Sequence, residues 1–303
     1  AYPMALASMI PGLIAAGHEV WGADEHFDSH EDILRLASKH AVDWIGATVL
    51  EHNADSMGRL FKRLRTASSA RIFVAGMWPS IHPASALRKT GADVAILGSA
   101  EQVVVSLIGT GKAGVGTAVL EQGRLELHSP KPGPTLADLP PMDRTVFPVL
   151  RYSYAMRSTA SPYAMTFTSR GCREDCPYCP SPAQHAGRYE SRSAQQVVDE
   201  FESLVSVHGI KAVHVEDDAF LTERDRVVAI CEEIEARGLR VKWELVSLTI
   251  PLILISSFLL PQLRISSTLK KKYKEEGLYL FKFPFLTNIT TDSGFVSQPF
   301  SPA

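Results

Sequence analysis

The stretch WIGATVLEHNADSMGRLFKRLRTASSARIFVAG, residues 44–76, decides the fold. Two short β-branched runs, 44–50 and 71–76, flank an amphipathic segment at 54–67. Apolar strands of five to seven residues alternating with helices of ten or more read as a parallel, doubly wound sheet covered on both faces. The same alternation extends outward in both directions. Upstream lie a helix-like segment, a strand at 18–24 (HEVWGAD) and a helix at 30–41; downstream lie helix-like 82–91, strand 94–98 and helix 100–109. Ligands of such sheets sit at the carboxyl ends of strands, which here means the loops starting near Thr48, Gly76 and Gly98. A hairpin at 116–129 with Gly123 at its turn closes this unit, and a Pro-rich stretch at 130–150 reads as a linker.

A second unit spans 151–246. A strand at 163–169 runs into the loop TSRGCREDCPYCPSP (168–182), followed by helix 193–209, strand 211–220, helix 223–238 and strand 241–245. Ser193 is placed as an N-cap, and Gly209 and Gly238 as C-caps. Repeated βα units fit a second parallel sheet or a barrel with its chemistry at the strand ends, where the cysteines lie. Beyond residue 246 the alternation stops, and 247–303 reads as an atypical tail that is expected not to be native to the fold. Its uncharged run at 245–263 is long enough to be a weak candidate for a membrane span, but Pro251 and Pro261 interrupt it and no span is expected.

The 303 residues allow about two domains. A net charge of −2, with 31 basic residues interspersed among 33 acidic ones, gives no electrostatic case for nucleic acid. Four cysteines, three of them in one loop, point to a metal in a reducing compartment rather than to disulfides, hence to the cytoplasm. The first twenty residues lack a basic n-region and are not a signal peptide. The chain is expected to begin in mid-domain, with the first strand of the sheet missing.

Cys172, Cys176 and Cys179 form a C-x3-C-x2-C loop. Three thiolates can hold three irons of a 4Fe-4S cube and leave the fourth open to substrate or cofactor. Zinc on the three cysteines and a histidine such as His185 is the alternative. The remaining cysteine, Cys231, belongs to a helical apolar stripe. Glu216, Asp217 and Asp218 fall at a strand end beside this loop if the strands are neighbours, although Asp218 also suits the cap of the following helix. Arg170, Arg188 and Arg192 are candidates to face carboxylates. The segment 28–33 (DSHEDI) reads as a helix cap, and GTGKAGVGT (109–117) as a loop without phosphate-loop spacing.

A three-cysteine loop with an aromatic residue before the last cysteine is the signature of radical SAM enzymes, and this segment resembles theirs. The order of SRGC, GRYESRSAQQVVDEFESL, HVEDDAFLTERDRVVAICEEI and VKWEL is similar to the branch whose radical domain follows a cobalamin-binding domain. In the first unit GLIAAGHEVWGAD, VDWIGATVL, IFVAGMWPSIHP and GADVAILGSAEQ resemble that domain. The chain has Ala75-Gly76 where the family usually has Gly-Gly, and Gly98-Ser99-Ala100-Glu101 where it usually has Gly-Glu-Gly-Glu.

The resemblance implies an α/β architecture: a Rossmann-like cobalamin-binding domain over 1–129, then the first part of a β/α radical SAM barrel. It implies a 4Fe-4S cluster on Cys172, Cys176 and Cys179, with S-adenosylmethionine completing the cluster. Tyr178 would lie near adenine and Glu216, Asp217 and Asp218 near the cofactor's amino group, while Thr48, Gly76 and Gly98 would face cobalamin. The implied reactions are methylation, cyclisation or rearrangement of a small molecule, fed by an electron donor of the flavodoxin or ferredoxin type. Such a fragment is expected to turn over poorly. A non-catalytic module that binds zinc, an iron–sulfur cluster or cobalamin is the competing class.

Overall fold

The computed structural model describes residues 2–131, 135–152, 161–174 and 176–245. The first unit contains helices α1 (Met4–Ala15), α2 (His30–Lys39), α3 (Ala54–Ala67), α4 (Met77–Ile81), α5 (Pro83–Thr90) and α6 (Ala100–Thr110). Its strands are β1 (Trp44–Thr48), β2 (Arg71–Ala75), β3 (Val94–Ile96), β4 (Thr117–Glu121) and β5 (Arg124–His128), in the spatial order β1-β2-β3-β4-β5. The first three strands are parallel; β4 and β5 add an antiparallel hairpin to the sheet edge. Gln122 and Gly123, both at positive φ, make the two-residue turn.

The alternation along β2 shows why both faces are covered. Ile72 and Val74 pack with Met57, Leu60, Phe61 and Leu64 of α3, whereas Phe73 and Ala75 pack with Met9 and Leu13 of α1 and Val104 and Leu107 of α6. Successive side chains of a strand point to opposite faces, so a continuous apolar run requires a helix layer on each side. Ser29 starts α2 with a reciprocal cap to Asp32, which agrees with the capping role read for 28–33.

The strand expected at 18–24 does not form. In the ladder, Asp43 O accepts from Arg71 N–H and Val49 N–H donates to Ala75 O. That parity turns the backbone groups of Trp44, Gly46 and Thr48 away from β2, toward the open edge of the sheet. Residues 18–24 lie beside this edge across a cavity of about 640 Å³, lined by Val20, Gly22, Trp44, Gly46 and Thr48 among others. A strand exists only by pairing with a neighbour, and across this cavity the segment has none.

The second unit holds β6 (Tyr163–Thr166), β7 (Ser169–Arg170), β8 (Glu190–Ser191), β9 (Ala212–Val215) and β10 (Lys242–Leu245), with α7 (Ser181–His185), α8 (Ala194–Ser206) and α9 (Arg224–Ala236). β6 and β10 flank β9 in a parallel sheet, and β7 and β8 form a separate antiparallel pair. Ser193 and Gln196 make a reciprocal cap at the start of α8. Phe201 and Leu204 of α8 and Ile230 of α9 are among the buried side chains. The Pro-rich stretch is more than a tether: Leu136, Met142, Phe147 and Val149 are buried, and Tyr2 donates its hydroxyl hydrogen to the carbonyls of Asp143 and Phe147. Residues 246–303, which include the tail, lie outside the described residues. Among those described, no helix is long and apolar enough to cross a membrane.

Candidate functional site

Two sets of strand ends meet. The carboxyl end of β6 leads through β7 into the cysteine loop, and the carboxyl end of β9 delivers Glu216, Asp217 and Asp218 beside it. Parallel pairing of β6 with β9 makes this neighbourhood, because Thr166 is in register with Val215 and Glu216 N–H donates to Thr166 O at 2.8 Å.

The three acidic residues do different work. Asp217, 2% exposed, accepts from Thr168 N–H at 2.5 Å, from the Thr168 hydroxyl at 2.6 Å and from the Ser169 hydroxyl at 2.6 Å. Burial raises its carboxyl above the ordinary range, and these hydrogen bonds oppose that shift. Asp218 brackets the cysteine loop: its Oδ2 accepts from Gly171 N–H at 2.8 Å before the first cysteine and from the Ser181 hydroxyl at 2.9 Å after the last. It does not cap α9, whose N-cap is Glu223. Glu216 is half-buried, its carboxyl pushed up by burial and then by the Asp217 charge, and its side chain has no hydrogen-bond or ion-pair partner among the described residues.

Within the loop Cys172 is buried and the other two cysteines are half-buried. Glu174 N–H points at Cys172 Sγ at 3.4 Å, and Cys179 N–H donates to Cys176 O to make a turn. Three thiols on one loop, with a backbone donor to one sulfur, suit an iron–sulfur cluster in donor chemistry. Among the described residues no three Cys, His, Asp or Glu side chains are already gathered as a metal cage. Tyr178 is 87% exposed, and its phenol is pushed up by a hydrogen bond to Cys176. His185 lies against Asp218, with Nε2 at 3.7 Å from Oδ2. Gly171 is required sterically as well as at φ +76°: a Cβ there would fall 1.9 Å from Arg188 O.

The arginines divide as well. Arg192 is spent on Glu200 at 2.7 Å and on Pro140 O, and Arg188 is exposed. Arg170 instead crosses to the first unit, where its Nη1 donates to Ser99 Oγ at 3.0 Å and to both Glu101 oxygens at 3.2 Å.

On the first sheet, Gly76 and Gly98 both have positive φ at strand ends. Gly76, at φ 114° and ψ −171°, is in a region that essentially only glycine occupies. Ser80 ties the two loops together, donating to Gly76 O at 2.7 Å and accepting from Gly98 N–H at 2.9 Å. Leu50 and Met77, just after β1 and β2, are exposed. Thr48 lines the cavity at the outer edge of β1, whereas Gly76 and Gly98 do not. Helix α4 packs on α7, and a Cβ at Gly98 would lie 3.6 Å from Gln184 O. Hydrogen bonds and contacts therefore run from Gly76 through Ser80, Gly98, Ser99 and Arg170 to Gly171 and Asp218. Ser80 gave no sequence signal, and Ser99 and Glu101, noted only as part of the stretch that follows Gly98, gave no hint of Arg170, because these partners lie on other elements.

Comparison with known proteins gives a consistent picture. The family model described as the B12 binding domain matches residues 1–108. An uncharacterized methyltransferase of Pyrococcus horikoshii is 23% identical over 223 residues, covering 70% of this chain and 47% of that protein. The anaerobic magnesium-protoporphyrin IX monomethyl ester cyclase of Cereibacter sphaeroides is 30% identical over 162 residues, covering 50% and 26%. The chain thus spans less than half the length of each of these relatives.

Among solved structures, the radical S-adenosylmethionine methyltransferase TsrM of Kitasatospora setae, with cobalamin and a 4Fe-4S cluster bound, superposes with a TM-score of 0.62. It is 20% identical and covers 78% of this chain and 48% of its own. The cobalamin-dependent S-adenosylmethionine radical enzyme OxsB gives 0.65 at 16% identity, covering 80% and 35%. These two likenesses are of fold.

Proposed function

We propose that the chain is of the radical SAM type that carries a B12-binding domain, and that it holds a 4Fe-4S cluster on Cys172, Cys176 and Cys179. It binds S-adenosylmethionine at that cluster and cobalamin on the carboxyl edge of the first sheet, at Thr48, Gly76 and Gly98. The observation that carries this reading is the junction of the two loops. Arg170, two residues before the first cysteine, bonds Ser99 and Glu101 immediately after Gly98. Two strand-end sites joined in this way suit one reaction that uses both cofactors.

When bound, the cofactors supply the radical and group-transfer chemistry, while the protein supplies position. Asp217 fixes the backbone at Thr168 and Ser169, and Asp218 fixes both ends of the cysteine loop. Glu216 is the member of the acidic trio left to pair with the amino group of S-adenosylmethionine; a cation beside it would offset the burial that now raises its carboxyl. Exposed Leu50 and Met77, beside glycine backbone, suit the broad apolar face of a corrin ring. The reaction class is methyl transfer, or cyclisation, on a small molecule, with an electron donor of the flavodoxin or ferredoxin type in a reducing compartment.

The test is anaerobic reconstitution with iron, sulfide and hydroxocobalamin, followed by S-adenosylmethionine and a strong reductant. Formation of 5′-deoxyadenosine that requires the cysteine loop, with cobalamin retained through gel filtration, is expected. Stoichiometric zinc without a brown chromophore would instead identify a non-catalytic metal-binding module.

A further inference from the structure

We propose that Arg170 is a positioning residue that locks the cysteine loop to the loop after β3, so that a ligand seated on either loop tightens binding on the other. The inference rests on the reading above and goes beyond it, because it concerns how the two sites communicate.

Arg170 is placed by two independent constraints. It stands opposite Glu190 in the β7–β8 pair, with Nε at 3.7 Å from the Glu190 carboxylate. Its Nη1 reaches the other way, to Ser99 and Glu101. The arginine and Glu101 side chains are 11% and 10% exposed, so the pair is only weakly screened by solvent. Glu190 is itself held, since its Oε2 accepts from Leu136 N–H at 3.1 Å in the Pro-rich stretch. A guanidinium can serve two carboxylates in different directions because its donors are fixed in a planar fork, which a lysine cannot reproduce.

The consequence follows from chain connectivity. The residue after Arg170 is Gly171, whose N–H is held by Asp218, and Cys172 comes next. On the other side Ser99 and Glu101 follow Gly98, whose N–H is held by Ser80. Ordering the cysteine loop around a cluster therefore orders Arg170, and through it the start of α6. A ligand on the loop after β3 then has less ordering left to offset, which is a positive coupling, and the coupling must be reciprocal.

The experiment titrates hydroxocobalamin into the full chain, with and without a reconstituted cluster, for wild type, Arg170→Met, Arg170→Lys and Glu101→Gln. Wild type is expected to bind cobalamin roughly five-fold or more tightly when the cluster is present. In Arg170→Met that ratio falls to about one, and Arg170→Lys recovers only part of it. Glu101→Gln, which leaves the Glu190 pairing intact, provides the same reading if Arg170→Met does not fold. A ratio near one in wild type, or an undiminished ratio in the variants, overturns the proposal. If wild type takes up neither iron nor cobalamin, the functional reading fails by itself. Amide hydrogen exchange at residues 171–174 of the metal-free chain then decides the lock: faster exchange in Arg170→Met supports it, and equal exchange overturns it.

Discussion

Asp218 and Gly171 join the end of β9 to the start of the cysteine loop, the carboxylate accepting the glycine N–H at 2.8 Å while the same oxygen takes the Ser181 hydroxyl at 2.9 Å. One side chain thus closes both ends of the loop. Asp218→Ala orphans a partly buried N–H and should cost roughly 1–3 kcal/mol. Asp218→Asn retains an acceptor and should cost less. Denaturant unfolding gives the ordering, and iron content after reconstitution should fall in the same order; equal iron in wild type and Asp218→Ala would show that the bracket is unimportant.

Glu200 makes a larger prediction for the second sheet. It is 7% exposed and bonds Arg144 and Arg192 at 2.7 Å each, and also the Thr166 hydroxyl at 2.7 Å. Removing this carboxylate leaves two buried guanidinium groups without the charge they share. Glu200→Ala should therefore lose roughly 3–5 kcal/mol in urea or thermal unfolding. A loss below about 1 kcal/mol, the level of an exposed pair, would contradict the buried triad.

Cys231 should differ in reactivity from the two half-buried cysteines of the loop, Cys176 and Cys179. Burial, and then the nearby Glu232 charge, push the Cys231 thiol up to about 11. Its thiolate is therefore scarce at pH 8, and alkylation of the metal-free chain there should leave Cys231 unmodified while the half-buried loop cysteines, Cys176 and Cys179, react. Rapid labelling of Cys231, read by mass spectrometry, would show that its thiol is not sheltered as the structure has it.

Glu216 sets a pH dependence. Its folded-state carboxyl is raised, so its contribution to stability is fully present below the unfolded value and is lost as pH rises through the folded value. At neutral pH the ionised group is a net cost. Glu216→Gln should raise the melting temperature at pH 7 and converge on wild type in acid. A lower melting temperature at pH 7 would mean that the carboxylate has a partner.

Much of this was legible from local pattern. The β1-α3-β2 unit, the caps at Ser29 and Ser193 and the cysteine loop at a strand end all depend on residues close in sequence, and the structure has them. The strand at 18–24 was misread because its β-branched, aromatic pattern is necessary but not sufficient; pairing is a tertiary property, and its inner edge faces a cavity. The acidic trio looked uniform in sequence. Only the side-chain partners separate the bracket Asp218 and the buried Asp217 from Glu216. Ser80 was invisible for the same reason, since a serine in a short helix gives no hint that it ties two loops together, and Glu101 was read only as part of the stretch after Gly98, without its Arg170 partner.

The central claim is that the three loop cysteines hold a 4Fe-4S cluster, and iron analysis of the anaerobically reconstituted chain tests it most directly. The account predicts about four irons and four sulfides per chain, lost on replacing any one of Cys172, Cys176 or Cys179 by Ala and retained in Cys231→Ala. Iron binding that survives Cys176→Ala, or a colourless protein carrying one zinc per chain, would contradict it.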